Sequence, residues 1–445
     1  MKLLHIGWAC LVPFAHGLAA DPAPALSISP VHSSGVWQTG DKIVWNVSYT
    51  GGNAATPTKI AYVIKRNGAD IVLRDQVNLS DGRGIIEVQT DTASTLLLET
   101  TASQPGKPVV RAASGAAIEP WKLAPSVPLP DDFDSFWDSM VSRMASIPPD
   151  AMLEKVESGR TGVVCWKITL RGYDGTQVQG QIARPTGTNK LPALVIFQWA
   201  GVYPLKKEWV VDRAAEGWLA LNIMAHDLPI DESQAFYDHE ASTSLNNYAS
   251  IGNDNREKSY FLRMFLGCYQ AIEYLTRRPD WDGQNLLASG ASQGALQALA
   301  AAALHPAVTG VTALVPAGCD HTGREAKRQP GWPFWIANAG SGEPEAVLET
   351  SRYFDAVNFA HRIKCPALIG LGLIDTTSPP TGVFTLVNQL QCPKEVVIMP
   401  ASDHGGTKNS QAPFQTRAAA WRRAILEGKS IPLISWTKEI AKPSE

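Results

Sequence analysis

Between about Ala25 and Pro120, short apolar runs alternate with clusters of Gly, Asn, Asp and Ser, and no stretch sustains a helical period. In DKIVWNVSY, residues Ile43, Trp45, Val47 and Tyr49 share one face, while Lys42, Asn46 and Ser48 share the other. That two-residue period is the pattern of a half-buried strand. Gly51-Gly52-Asn53 marks a turn, KIAYVIK the next strand, and Arg66-Asn67-Gly68 a corner before IVLRDQV. GIIEVQT and TLLLETTAS extend the series, so an all-β domain of about seven strands is expected over residues 21–121.

The size and strand spacing of this first block are those of an immunoglobulin-like sandwich. Residues 122–130, KLAPSVPLP, hold three prolines and read as an extended linker. Asp131 and Asp132 are then placed to cap a helix whose Phe133, Phe136, Trp137 and Met140 define an apolar face. Beyond it the pattern changes. Continuously apolar runs such as LPALVIFQW, WLALNIM, NLLASG, VTALVP, CPALIGLGL and EVVIMP are separated by helical segments around Lys206–Gly217, Tyr260–Arg277 and Gln293–Leu304, with a last helix near Ala412–Glu427. Strands that are apolar on both faces and bounded by helices predict an α/β fold with a mostly parallel sheet covered on both sides, over 131–428, followed by a tail at 429–445.

Composition narrows the partners. Among 445 residues, 39 Lys plus Arg face 42 Asp plus Glu, a net charge of -3, so no broad positive field attracts nucleic acid or an anionic membrane surface. The 14 tryptophans suit apolar pockets or sugar-facing surfaces. Residues 1–20 join Lys2 to an apolar run interrupted by Pro13 and ending in small residues ahead of Asp21, the layout of a secretory signal peptide cleaved after Ala20. Such a leader leaves no membrane span in the processed chain and directs it to the periplasm or the exterior. Its removal takes Cys10 and leaves five cysteines, none in CxxC or at metal-ligand spacing to a histidine, so neither a metal nor another cofactor is expected.

The chemistry centres on Gly290-Ala291-Ser292-Gln293-Gly294, between the apolar NLLAS and the Ala-rich ALQALAAAAL. GxSxG between a strand and a helix lifts a serine hydroxyl clear of a sheet, and the flanking glycines relieve the crowding of that turn. Serine needs a base, and the base an acid that fixes its tautomer. His404, in the loop ASDHGG after the last strand, is the leading base, with His321 as runner-up and His305 and His361 as further options. Asp375, at the carboxyl end of CPALIGLGLI, is the leading acid ahead of Asp403 and Asp320. The amide of Gln293 supplies one oxyanion donor, and the loop Trp199-Ala200-Gly201-Val202-Tyr203 supplies the second, with Val202 favoured over its two neighbours.

Several segments resemble the acetyl xylan esterase and cephalosporin-C deacetylase family of α/β-hydrolases. They are PDDFDSFW, RPDWDGQNLLASGASQGALQALAAAAL, VPAGCDHTG, GLIDTTSPP and DHGG, and together the likeness runs from about Val127 to Gly428. The resemblance implies a serine esterase that removes acetyl groups from esterified sugars, with Ser292, His404 and Asp375 as triad and Val202 and Gln293 as oxyanion donors. Two segments depart from the family pattern. AGV at Ala200–Val202 stands where HGY is usual, and AHDLP at Ala225–Pro229 stands where RGQG is usual. A small acyl pocket bounded by Trp199, Tyr203, Trp332 and Trp335 is expected, with a packed loop the equal alternative for GWPFW. Trp37 or Trp45 of the β block is a second candidate contact for polysaccharide, but Trp45 fits a core position, and packing against the catalytic domain or shaping its entrance is the favoured role of that block. A prolyl-oligopeptidase-type peptidase and an inactive carbohydrate-binding homologue are the competing readings. The sequence leaves open whether the chain forms a homo-oligomer.

Overall fold

A computed structural model describes residues 23–50, 59–103, 108–340 and 342–436. The expected leader at 1–20 and the turn at Gly51–Asn53 lie outside the described residues. The first block contains β1 (Ala25–Pro30), β2 (Val36–Trp37), β3 (Lys42–Thr50), β4 (Lys59–Arg66), β5 (Asp70–Asn78), β6 (Arg83–Gln89), β7 (Ser94–Ala102) and β8 (Val110–Ile118). One sheet has the order β1-β3-β6 and the other β2-β8-β7-β4-β5. Eight strands stand where about seven are expected; β1, β2 and β8 lie outside the runs named from the sequence, and the two-residue β2 is too short to leave a periodic signature. Ile43, Trp45 and Val47 of β3, together with Leu96 and Leu98 of β7, belong to one buried cluster between the sheets. Trp37 and Trp45 are 1% and 0% exposed, so neither side chain is available to a polysaccharide. Their large apolar area is spent in that core.

The second block begins with α1 (Phe133–Ala145), then β9 (Met152–Val156), β10 (Val163–Arg171), β11 (Gln177–Pro185), β12 (Leu191–Phe197), α2 (Glu208–Glu216), β13 (Leu219–Ile223), α3 (Gln234–Ser242), α4 (Tyr260–Thr276) and β14 (Trp281–Ala291). It continues through α5 (Gln293–Leu304), β15 (Gly310–Leu314), α6 (Pro344–Ser351), α7 (Ala356–Phe359), β16 (Ala367–Gly372), α8 (Pro380–Gln389), β17 (Lys394–Met399) and α9 (Ala412–Leu426). Asp132 does occupy the position before α1, yet its side chain makes no cap bond. Its carboxylate instead pairs with Arg256 at 2.7 Å and accepts the Tyr353 hydroxyl, which holds its pKa below the ordinary carboxylate value.

The nine strands form one sheet in the order β17-β16-β15-β14-β12-β13-β11-β10-β9. Strands β12 to β17 run parallel, and β11, β10 and β9 add an antiparallel edge. Side chains of α4, α5, α7 and α8 bury one face, while those of α2 and α9 contribute to clusters on the other. At β12 the connections part, with β13 on one side and β14 on the other. An open α/β sheet leaves a crevice beyond its strand ends at such a point. The tail does not leave the body at once: the Trp436 amide donates to Lys394 of β17 at 3.0 Å, partly covering that edge strand.

The β block and the sheet share an interface. Val36 of β2 and Ala117 of β8 belong to the main hydrophobic cluster of the second block. The Thr95 and Thr381 hydroxyls lie 2.6 Å apart, and the Gln329 amide donates to Asn67 at 2.9 Å. The expected linker is pinned as well: the Ser126 amide and hydroxyl both donate to Asp320, at 2.9 and 2.6 Å.

Candidate active site

Strand β14 ends at Ala291 and α5 begins at Gln293, leaving one residue to turn the chain. Ser292 makes that turn at φ 55° and ψ -122°, a conformation costly for a residue with a Cβ and found where a side chain must be aimed. The glycines around it are required by space. A Cβ on Gly290 would come 2.1 Å from the Gly294 carbonyl oxygen, and one on Gly294 would come 2.4 Å from that of Phe197. The Ser292 amide donates to Leu314 of β15 at 2.9 Å, tying the turn to the neighbouring strand.

Ser292 Oγ lies 2.8 Å from His404 Nε2, and His404 Nδ1 lies 2.8 Å from Asp375 Oδ2. Asp375 Oδ1 accepts the amides of Thr377 and Ser378 at 2.8 and 2.7 Å, so one carboxylate both closes its own turn and holds the imidazole. The Asp375 side chain is fully buried, while that of His404 is 26% exposed. The two loops are knit together by the Leu373 amide donating to Met399 at 3.1 Å and the Ile374 amide donating to Ser402 at 3.3 Å. Gly406 takes φ 67° in the turn after the histidine, and Gln411 Nε2 donates to the His404 carbonyl at 3.0 Å.

The other candidates are engaged elsewhere. Asp403 accepts the Thr407 amide at 2.9 Å, Asp320 binds Ser126 and Arg328, and His305 and His361 pair with Glu273 and Asp134. His321 is buried beneath Trp335, which pushes its pKa down to about 3. Trp335 itself is 3% exposed and packs on Phe261 and Phe354, so the core takes this side chain from the expected substrate wall. Trp332 is half-buried against Phe261 and Tyr248. Trp199 is 44% exposed, stacked on Tyr203 at 5.5 Å and close to Trp209 at 4.9 Å. Trp199, Trp209, Glu208 and Gly290 help line a cleft of about 250 Å³ beside the serine turn.

Among the described residues, no acceptor takes the amide hydrogens of Val202 or Gln293. Gln293 follows the serine directly and opens α5, whose positive dipole end favours a developing anion, while Val202 lies in the loop after β12, the strand paired with β14 at Phe197 and Gly290. Side chains beyond the sequence reading hold the Val202 loop. Gln198 Nε2 donates to the Tyr203 carbonyl at 3.0 Å, Gln198 Oε1 accepts the Ala225 amide at 2.9 Å, and Gln297 Nε2 donates to the Gln198 carbonyl at 2.8 Å. Tyr248 donates to Gln293 Oε1 at 2.5 Å and accepts the Gly201 amide at 3.3 Å. His226 reaches the Gly201 carbonyl, so the two segments that depart from the family pattern touch. The signal available for the glutamines was a polar residue ending an apolar strand and another inside an Ala-rich helix. Tyr248 carried none.

The sequence profile of the acetyl xylan esterase (AXE1) family matches residues 121–422, more than half of the chain. The chain belongs to the acetyl xylan esterase family. It is therefore a carboxylic ester hydrolase. A curated relative of this esterase, acetyl esterase Axe7A of Xylanibacter ruminicola, is 29% identical over 386 residues, covering 86% of this chain and 87% of that one. Two solved structures share its α/β fold. The acetyl xylan esterase of Paenibacillus sp. R4 has a TM-score of 0.58 at 24% identity, covering 70% of this chain and 99% of its own. Acetyl xylan esterase 1 of Thermoanaerobacterium sp. JW/SL YS485 has a TM-score of 0.57 at 22% identity, with 67% and 96% covered. The β block of this esterase thus lies largely outside the family match, which begins at residue 121.

Proposed function

We propose that this protein is a secreted serine esterase that removes acetyl groups from acetylated xylan or its oligosaccharides through an acyl-enzyme on Ser292. His404 Nε2 accepts the Ser292 proton as Oγ bonds to the acetyl carbonyl carbon, and the Val202 and Gln293 amides receive the oxyanion. Collapse breaks the ester bond, and the departing sugar oxygen takes the proton from His404. Water then attacks the acyl group and gives a proton to His404, which returns it to Ser292 Oγ as acetate leaves. Asp375 keeps Nδ1 protonated and steadies the imidazolium.

The observation that carries this reading is the unbroken series from Ser292 Oγ through His404 to Asp375, with both contacts at 2.8 Å. Family membership supports acetylated carbohydrate as the substrate, and the exposed Trp199 beside Tyr203 and Trp209 offers a ledge on which a sugar ring can rest. Secretion is supported by the leader-like residues 1–20, and the organisation by the change of pattern across 122–130, with an immunoglobulin-like sandwich before it and the hydrolase domain after it. Acetate release from acetylated xylan by the full chain and by Ser292→Ala tests the mechanism. Turnover falls to background in the variant while its unfolding midpoint stays near that of the parent; retained turnover would remove Ser292 from the role. An N-terminus at Asp21 in the exported protein checks the leader.

A further inference from the structure

The polar side chains behind the oxyanion loop form a closed donor and acceptor series. His226 is 2% exposed, with Nε2 3.0 Å from the Gly201 carbonyl oxygen and Nδ1 2.6 Å from the Tyr260 hydroxyl. A carbonyl can only accept, so Nε2 carries the proton, and a neutral ring then leaves Nδ1 to accept from Tyr260. Burial favours that neutral ring, drawing the His226 pKa down to about 4. The Gly201 amide is meanwhile held by Tyr248, so both ends of this glycine are fixed. Gly201 itself adopts φ 121°, which a residue with a Cβ would resist.

The Gly201 carbonyl and the Val202 amide belong to one peptide plane. In a trans peptide they point in opposite directions. A hydrogen bond that draws the carbonyl inward to His226 therefore turns the Val202 N–H outward. We propose that His226 is a positioning residue of the esterase: by gripping the Gly201 carbonyl it aims the Val202 amide at the oxyanion, while Tyr260 fixes the tautomer that makes the grip possible. The inference rests on the serine mechanism above and adds the group that orients one of its two donors. A preset peptide dipole needs no reorganisation when charge develops on the carbonyl oxygen. Its effect belongs to the transition state, not to substrate binding.

The test compares His226→Phe, which keeps a ring but loses both hydrogen bonds, with His226→Gln, whose amide can donate to Gly201 and accept from Tyr260. Acetyl ester hydrolysis is measured for both, together with inhibition by methylboronic acid, whose tetrahedral adduct on Ser292 places an oxygen in the oxyanion position. For His226→Phe, kcat falls about 100-fold, the size expected for loss of one oxyanion donor. KM stays within threefold, and the inhibition constant rises in step with the loss of kcat. His226→Gln recovers at least a tenth of the parent kcat. Tyr260→Phe, which leaves the His226 to Gly201 contact sterically intact, gives a smaller loss of about three- to tenfold in kcat, since only the tautomer is loosened. Parent-like kcat in His226→Phe, or a loss confined to KM, overturns the proposal while leaving the serine mechanism standing. Failure of Ser292→Ala to lose activity overturns the mechanism instead.

Discussion

Gly115 of β8 lies so close to Leu373 that a Cβ on it would come 2.4 Å from Leu373 Cβ and 2.5 Å from the Leu373 carbonyl oxygen. Leu373 is two residues before Asp375. Gly35, ahead of β2, makes a similar approach, with a Cβ there reaching 2.7 Å from Leu373 Cδ1 and 2.9 Å from Pro400, four residues before His404. The β block therefore packs against the two loops that bear Asp375 and His404. Gln329 adds a third tie: its backbone N–H donates to the Asn67 carbonyl at 2.9 Å while its side chain donates to the Thr376 carbonyl at 2.8 Å.

Gly115→Ala forces the backbone at Leu373 to shift, because the neighbour that must move is main chain and not a flexible side-chain end. Overpacking of this kind costs about 1–3 kcal/mol. Denaturant unfolding reads the loss, and kcat for an acetyl ester reads the displacement of Asp375. A reduction in kcat with KM little changed is the expected pattern. An unfolding midpoint and a kcat both equal to those of the parent would show that this contact constrains nothing.

Asp375→Asn separates the structural from the chemical duty of that carboxylate. The asparagine carbonyl can keep accepting the Thr377 and Ser378 amides that Oδ1 now takes. Its NH2 then stands where Oδ2 faces His404 Nδ1, and a donor there forces the ring into the tautomer with hydrogen on Nε2, unable to take the serine proton. A loss of about 10^4 in kcat follows, the size seen when a triad imidazole is held in the wrong tautomer. Activity within tenfold of the parent would exclude Asp375 as the orienting acid.

The periodic parts of the chain were legible because their burial is one-sided or total. The α5 helix was expected over Gln293–Leu304 and runs over those residues, since its Ala-rich sequence is buried on every side and bounded by Ser292 and His305. The hydrogen-bonded series of Ser292, His404 and Asp375 is legible from local context, as each member follows the end of a parallel strand. What escaped the sequence depends on contacts between distant segments. Trp335 reads as a pocket wall from its neighbours Gly331-Trp332-Pro333-Phe334, but Phe261 and Phe354 claim it. Asp132 reads as a helix cap until Arg256 and Tyr353 arrive from elsewhere. The grip of His226 on Gly201 spans 25 residues and has no periodic trace.

Buried neutral histidines make stability depend on pH in a direction that can be worked out. Burial lowers His226 to about 4 and His321 to about 3 in the folded protein, against about 6.5 when unfolded. Below 6.5 the unfolded chain takes up protons that the folded one refuses, so stability is intact above that pH and is lost as the pH falls. Each group contributes a slope of up to about 1.4 kcal/mol per pH unit down to its folded pKa. Asp355 works against them: burial, with the nearby charge of Asp320, raises it to about 7, so between 7 and about 4 the folded state binds the extra proton and gains. His305, also buried and drawn below its ordinary value, adds to the losses, so the balance of these groups is a net decline as the pH falls from 6 to 4. Asp280, in spite of burial, is held low by Arg278 and Arg184, and Glu395 by Arg417, so their contributions are lost only below about pH 4. Urea unfolding at four pH values between 4.5 and 7.5 gives the slope for the parent. His226→Gln removes one of these losses and flattens the curve, whatever its effect on absolute stability. A slope unchanged in that variant would mean that His226 is not held neutral in the folded protein.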